Sequence, residues 1–149
     1  GANDVSLSLL TSLHIVVVTV MTLGAAALVN RVGARLLVIL SFVLATGGLA
    51  LAAVAPTLTW IFVAQFLMGV AQGLGYSTLM GWSVQNVPAA EQNTAMGLHQ
   101  AVYAIGMFAG PWLSGILADT MGLRPMFGAT AFVCLALGLF LIRLLPSHE

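Results

Sequence analysis

Residues 36–55 read LLVILSFVLATGGLALAAVA: no charged side chain, and only Ser41 and Thr46 as weakly polar interruptions. A helix needs roughly 20 apolar residues to cross a hydrocarbon core of about 30 Å, and this stretch meets that length. Working outward, four more stretches qualify, near residues 6–29, 58–85, 94–118 and 126–145. Charged residues fall in the joins and tails between them, except Arg143, one turn from the end of the last span. Pro56, Pro88, Pro125 and Pro146 also mark joins or ends, whereas Pro111 is mid-span. The expected fold is therefore all-α: a polytopic transmembrane bundle of five spans forming one domain over residues 1–149.

Composition agrees. Of 149 residues, 60% are hydrophobic and 5% charged, with a mean hydropathy of +1.09. A water-facing domain carries about 25% charged residues, so there is too little charge here to clothe one. The formal net charge is zero, which leaves no basic field for nucleic acid. Cys134 is the lone cysteine and lies in an apolar run, so no disulfide or thiolate metal framework is expected, and no cofactor.

The joins sort by side. Arg31 and Arg35 lie between the first two spans, and Arg143 precedes the C-terminal tail on the same side; Arg124 stands alone on the other. That bias places the first and third joins and the C-terminus in the cytoplasm of a cell with an inner or plasma membrane. Trp60 and Trp82, at the two ends of the third span, suit interfacial anchoring. The chain opens on Gly1, with no signal-peptide pattern, and is read as a truncation lacking an N-terminal portion.

Two joins 89 residues apart share a pattern. One runs Ala26-Ala27-Leu28-Val29-Asn30-Arg31-Val32-Gly33-Ala34-Arg35, the other Gly115-Ile116-Leu117-Ala118-Asp119-Thr120-Met121-Gly122-Leu123-Arg124. Both spell small-x-Leu-x-(Asn/Asp)-x-x-Gly-x-Arg. Three spans separate the copies, so they lie on opposite membrane faces, and an inverted repeat of this kind marks many transporter folds. The repeat pairs the first span with the fourth and the second with the fifth. Polarity divides the spans the same way. The first, third and fourth carry His14, Gln65, Gln72, Tyr76, Ser83, His99, Gln100 and Tyr103; the second and fifth are apolar almost all round. The polar spans are expected to face a cavity or one another, and the apolar pair to face lipid.

These residues resemble the major facilitator superfamily of secondary transporters. The first join is similar to that family's cytoplasmic loop motif. Arg31, Gly33 and Arg35 match it, while Ala26 replaces the first Gly, Asn30 the acid and Leu36 the last basic residue. The fourth span, with Gly97, Gly106, Gly110-Pro111 and Ser114-Gly115, resembles the antiporter motif of proton-linked drug exporters. The resemblance covers the whole chain and implies helices eight to twelve of twelve, with helices two to six as the alternative. Gln65 stands where fourth helices of proton-linked members tend to carry Arg, and the loop motif is weakened, so the C-terminal half is preferred. The resemblance further implies a missing N-terminal half as partner, a small organic solute or drug as substrate, and protons as a coupling ion.

Gln65, Gln72, Tyr76 and Ser83 fall within about 40° of one helix face at 100° per residue. With His99, Gln100 and Tyr103 they are the candidates for a substrate path, since Gln offers paired donors and acceptors and Tyr an aromatic face. Interhelical hydrogen bonding is the plainer role for the same residues. His14 and His99 are the titratable groups deep in the spans and thus candidates for a proton relay; a hydrogen-bonded neutral ring is the commoner use. No Asp or Glu lies mid-span, so a coupling carboxylate is expected in the missing part. Asn30, Arg31, Gly33 and Arg35 are candidates for a cytoplasmic gate as well as determinants of topology, with Asp119 and Arg124 as an outer latch. Gly69, Gly73, Ser77 and Gly81, and Gly106, Gly110 and Ser114, recur every fourth residue and permit close helix approach, with Pro111 as a bending point.

An enzyme would need convergent nucleophile, base or metal ligands, and no such constellation is present. A channel would need a ring of acids or a filter-like loop. Secondary transport is the leading expectation; a non-transporting scaffold or assembly subunit is the alternative, which the glycine stripes alone would permit.

Overall fold

The computed structural model describes residues 3–144. Five helices follow in order: α1 (Asp4–Val32), α2 (Ala34–Val54), α3 (Leu58–Val84), α4 (Gln92–Met121) and α5 (Leu123–Leu144). Each is long and apolar enough to cross a membrane. Leu145, Pro146 and Glu149, in the expected end of the last span and tail, lie outside the described residues.

The helices overrun the expected spans where the joins are short. At 1.5 Å per residue the 29 residues of α1 reach about 43 Å, longer than the hydrocarbon core, so its charged ends emerge at the interfaces. Asn3 caps α1 by accepting from Ser6 N at 2.9 Å, and Asp4 in the first turn suits the positive end of the helix dipole.

The two repeated joins shrink to one residue each. Gly33 separates α1 from α2 with φ 82° and ψ 151°; Gly122 separates α4 from α5 with φ 88° and ψ 164°. Gly33 N donates to Val29 O, and Gly122 N to Ala118 O, both at 2.9 Å. Leu37 N then bonds Gly33 O, and Met126 N bonds Gly122 O, at the same offset. Side-chain-bearing residues rarely tolerate this backbone region, so the matched glycines make the same turn on opposite faces. Asn30 and Arg31 consequently end α1, and Arg35 starts α2, rather than forming a loop.

α3 is the centre of the bundle. It packs extensively on α2 and on α1, and α2 packs in turn on α5. Ala25, Leu37 and Leu74 form the most buried cluster, with Met21, Leu28, Val29 and Val70 against it. Glycines set the approach distances. A Cβ on Gly73 would lie 2.7 Å from both Met21 Cβ and the Val18 carbonyl oxygen, and one on Gly69 would lie 3.1 Å from Val17. Toward α2, Gly48 faces Met68 and Ala64, and Gly75 faces Ser41; between α2 and α5, Gly138 faces Phe42.

Two expectations need correction. α2 is not simply a lipid-facing helix: Leu37, Val38, Ser41, Gly48 and Ala52 are buried, in a helix that packs on α3 and α5, while Leu36, Val43 and Val54 stay exposed. Lipid tails and a neighbouring helix are equally apolar, so composition does not separate the two faces. α4, in turn, contributes no buried residue. It runs unbroken through Pro111, and Gly97, Gly106, Gly110 and Gly115 meet nothing within 4 Å. Its glycine stripe makes no close approach among the described residues.

Candidate functional site

The polar residues of α3 divide between two neighbours. On one side α3 meets α1 across Gly69 and Gly73, which bring the backbones close enough for His14 to reach over. His14 Nε2 lies 2.9 Å from Gln72 Oε1, and Nδ1 lies 3.4 Å from the backbone carbonyl of Gln65. One ring thus ties α1 to two turns of α3.

On the other side α3 meets α4 through side chains alone. Gln100 Nε2 donates to Tyr76 Oη at 2.8 Å and approaches Met80 Sδ at 3.7 Å. Tyr76 packs on Tyr103 with centroids 5.0 Å apart, and edge-on against His99 at 6.4 Å. Such tilted and edge contacts suit the quadrupoles of the rings. α4 has no buried residue, and the helices it touches are α3 and α5.

The gap left between α4 and the rest is a cleft of about 510 Å³. Gln72, Tyr76, His99 and Tyr103 line it, together with Ser41, Phe42, Ala45 and Leu49 of α2, Met68 of α3 and Cys134 of α5. Among the described residues no charged side chain faces it. The size is in the range of sites for drug-sized ligands, which combine apolar walls with a few polar groups. The arrangement offers stacking faces, one amide, one imidazole, hydroxyls and the Cys134 thiol. No group of three or more metal-ligating side chains occurs among the described residues.

Four of the seven expected path residues line the cleft. Gln100 stands behind it, holding the Tyr76 hydroxyl, and Gln65 presents its backbone to His14. Ser83 donates to Met80 O at 2.7 Å within its own helix and does not line it. Ser41, Phe42 and Cys134 were missed. They sit on the helices expected to face lipid, and an isolated Ser or Cys in an apolar run carries no periodic signal.

The gate candidates lie apart from the cleft, at the end carrying Gly33. Asn30 and Arg31 are exposed, whereas Arg35 is half-buried with its Nε lacking a partner among the described residues. At the other face Arg124 does not close a latch with Asp119. Its Nη2 donates to Ala55 O at 3.2 Å, satisfying a carbonyl at the end of α2, and Asp119 is exposed. A helix C-terminus concentrates unpaired carbonyls and negative potential, so it competes well for a guanidinium.

The sequence profile of the Major Facilitator Superfamily matches residues 1–149. Riboflavin transporter RibZ of Clostridioides difficile is 28% identical over 114 residues, which are 76% of this chain and 25% of that protein. Multidrug resistance protein MdtG of Enterobacter lignolyticus is 31% identical over 99 residues, 54% of this chain and 24% of its own. Probable anion transporter 6 of Oryza sativa subsp. japonica is 31% identical over 108 residues, 72% and 25% respectively. No solved structure matches. The chain spans about a quarter of the length of these relatives. With five membrane-length helices and a family match over every residue, the chain belongs to the Major Facilitator Superfamily, whose members are membrane transporters and not enzymes.

Proposed function

We propose that the chain is helices eight to twelve of a secondary transporter that carries a small, largely uncharged aromatic solute by alternating access. The cleft between α2, α3, α4 and α5 carries the reading: aromatic faces at Tyr76 and Tyr103, hydrogen-bonding groups at Gln72 and His99, and no charged side chain. A charged solute would shed hydration there with no counter-ion to replace it. The partners are the lipid bilayer, the N-terminal half of the same transporter and the solute itself, with the C-terminus in the cytoplasm and protons as coupling ion. Relatives named for riboflavin and for multiple drugs support an organic solute, and riboflavin, a heteroaromatic with polar edges, is a suitable probe.

The test is flux of riboflavin into liposomes holding the full-length transporter. Tyr76→Ala removes a stacking face worth about 1 kcal/mol beyond its buried area, and Gln72→Met removes the amide while keeping the volume. Each is expected to lower flux at least about fivefold with the protein still folded. Unchanged flux in both would defeat transport through this cleft and favour the scaffold reading.

A further inference from the structure

The His14 ring meets two oxygens. Nε2 faces Gln72 Oε1 at 2.9 Å, and Nδ1 faces the Gln65 carbonyl at 3.4 Å. A neutral imidazole has one N–H and one lone pair, so it donates to only one of two acceptors; the imidazolium donates to both. The Gln65 carbonyl belongs to the helix backbone and cannot turn. The Gln72 side chain can: a half-turn of its amide swaps oxygen for NH2 at nearly the same volume. Gln72 also lines the cleft, and a half-turn of its amide changes which end is turned away from His14.

We propose that His14 and Gln72 form a proton-reading pair that sets the hydrogen-bonding character of the cleft. With His14 neutral, Nδ1–H donates to Gln65 O, the Gln72 NH2 donates to the Nε2 lone pair, and Oε1 is available to the cleft as an acceptor. A proton from water adds to Nε2. The Gln72 N–H···Nε2 bond breaks, Nε2–H donates to Oε1, and NH2 turns to the cleft as a donor. Gln72 is exposed and His14 is half-buried against α3. The proton balance is one taken up per half-turn, and the charge is held on α1 behind Gln72, whose reversed dipole is what the cleft contacts directly.

Few other groups compete for this role. α3 supplies Gln65, Gln72 and, one turn on, Tyr76 as its titratable side chain. α2, which touches α1 lightly, carries Arg35 alone, at the Gly33 end; on α1 itself Asp4 and Arg31 lie at the two ends. α4 and α5 have no contacts with α1, so His99 does not face the ring. Histidine is the side chain whose proton occupancy ordinarily changes between about pH 5 and 8.

The switch itself does not require the cleft to bind substrate, but its effect on specificity rests on that reading, so the test has two arms. Both use the full-length transporter in liposomes. In the first, glutamine side chains and histidine rings carry ¹⁵N, and the two signals are identified by their loss in His14→Phe and Gln72→Met. The Gln72 amide signal is expected to move between pH 5 and 8 with the same midpoint as the His14 ring, and to stay fixed in His14→Phe and in the non-titrating, hydrogen-bonding His14→Gln. An amide signal that is flat in the wild type, or that still moves without the imidazole, overturns the pair. In the second arm, riboflavin binding is titrated by fluorescence at pH 5.5 and 7.5. The expected change is about tenfold in Kd, the worth of one hydrogen bond gained or lost, and none in His14→Gln. Equal wild-type affinity at both pH values overturns the effect on specificity. No riboflavin binding alongside coupled signals defeats the cleft reading and upholds the amide switch.

Discussion

Gly73 and Gly110 look alike in sequence, each a mid-span glycine in a four-residue stripe, yet they sit in opposite surroundings. A side chain on Gly73 would strike the α1 backbone at 2.7 Å, whereas one on Gly110 would meet nothing within 4 Å. The same holds for the helices around them. α3 buries Ala64, Gly69, Ala71, Gly73, Leu74, Gly75 and Thr78, and α4 buries none. A stripe of small residues therefore marks the capacity for close approach, while the neighbour that uses it is settled by the rest of the bundle. For α3 that neighbour lies within the chain; the stripe on α4 meets none among the described residues.

Substitutions sharpen this contrast, and the largest effect belongs to Gly73→Leu. The new side chain must displace α1 backbone rather than a flexible side-chain tip, a cost of about 3 kcal/mol or more, above the usual range for overpacking. Loss of the monodisperse protein on size exclusion, or a steep fall in thermal midpoint, is the expected readout. Next come Gly33→Ala and Gly122→Ala, which force a β-carbon into the positive-φ turn. Each is expected to cost about 1–3 kcal/mol, and the two costs should agree within about 0.5 kcal/mol because the turns share one geometry. A clear inequality in their thermal midpoints would break the structural equivalence of the repeat.

His14→Phe removes one hydrogen-bonded tie between α1 and α3 and is expected to lower stability by about 0.6–2 kcal/mol, measured by the same melts. The smallest effect on stability is that of Gly110→Leu, within about 0.5 kcal/mol, because its surroundings are open. In the full-length transporter that substitution should nevertheless abolish flux if the N-terminal half of the proposed function docks on this stripe. Normal flux with Gly110→Leu would show that the α4 stripe has no partner, and the contrast with Gly73 would then be one of packing alone.

Parts of this were legible from residues. Spans and their count follow from hydropathy because a membrane helix must be long and apolar whatever it touches. The paired joins were visible because glycine alone suits their turn, and that requirement is local. The gathering of Gln72, Tyr76, His99 and Tyr103 was half legible: helical periodicity aligned the α3 members, and the repeat grouped α4 with the inner helices. Ser41, Phe42 and Cys134 were not, since nothing local distinguishes a cleft-facing from a lipid-facing residue in an all-apolar run. Arg124 was paired with the nearest acid in sequence, but its acceptor is the Ala55 carbonyl, 69 residues earlier in the chain.

By itself the sequence determined five crossing helices, two equivalent turns on opposite membrane faces, and membership of a transporter family. The tertiary structure alone decided which helix lies at the centre, which glycines are occupied, and that His14 reaches Gln72 while Tyr76 turns to α4. The physical reason is that hydropathy and backbone strain act on a residue wherever the chain goes. Within a bilayer, by contrast, the choice among helix neighbours rests on shape, a few hydrogen bonds and the distance between backbones, none of which a single span contains.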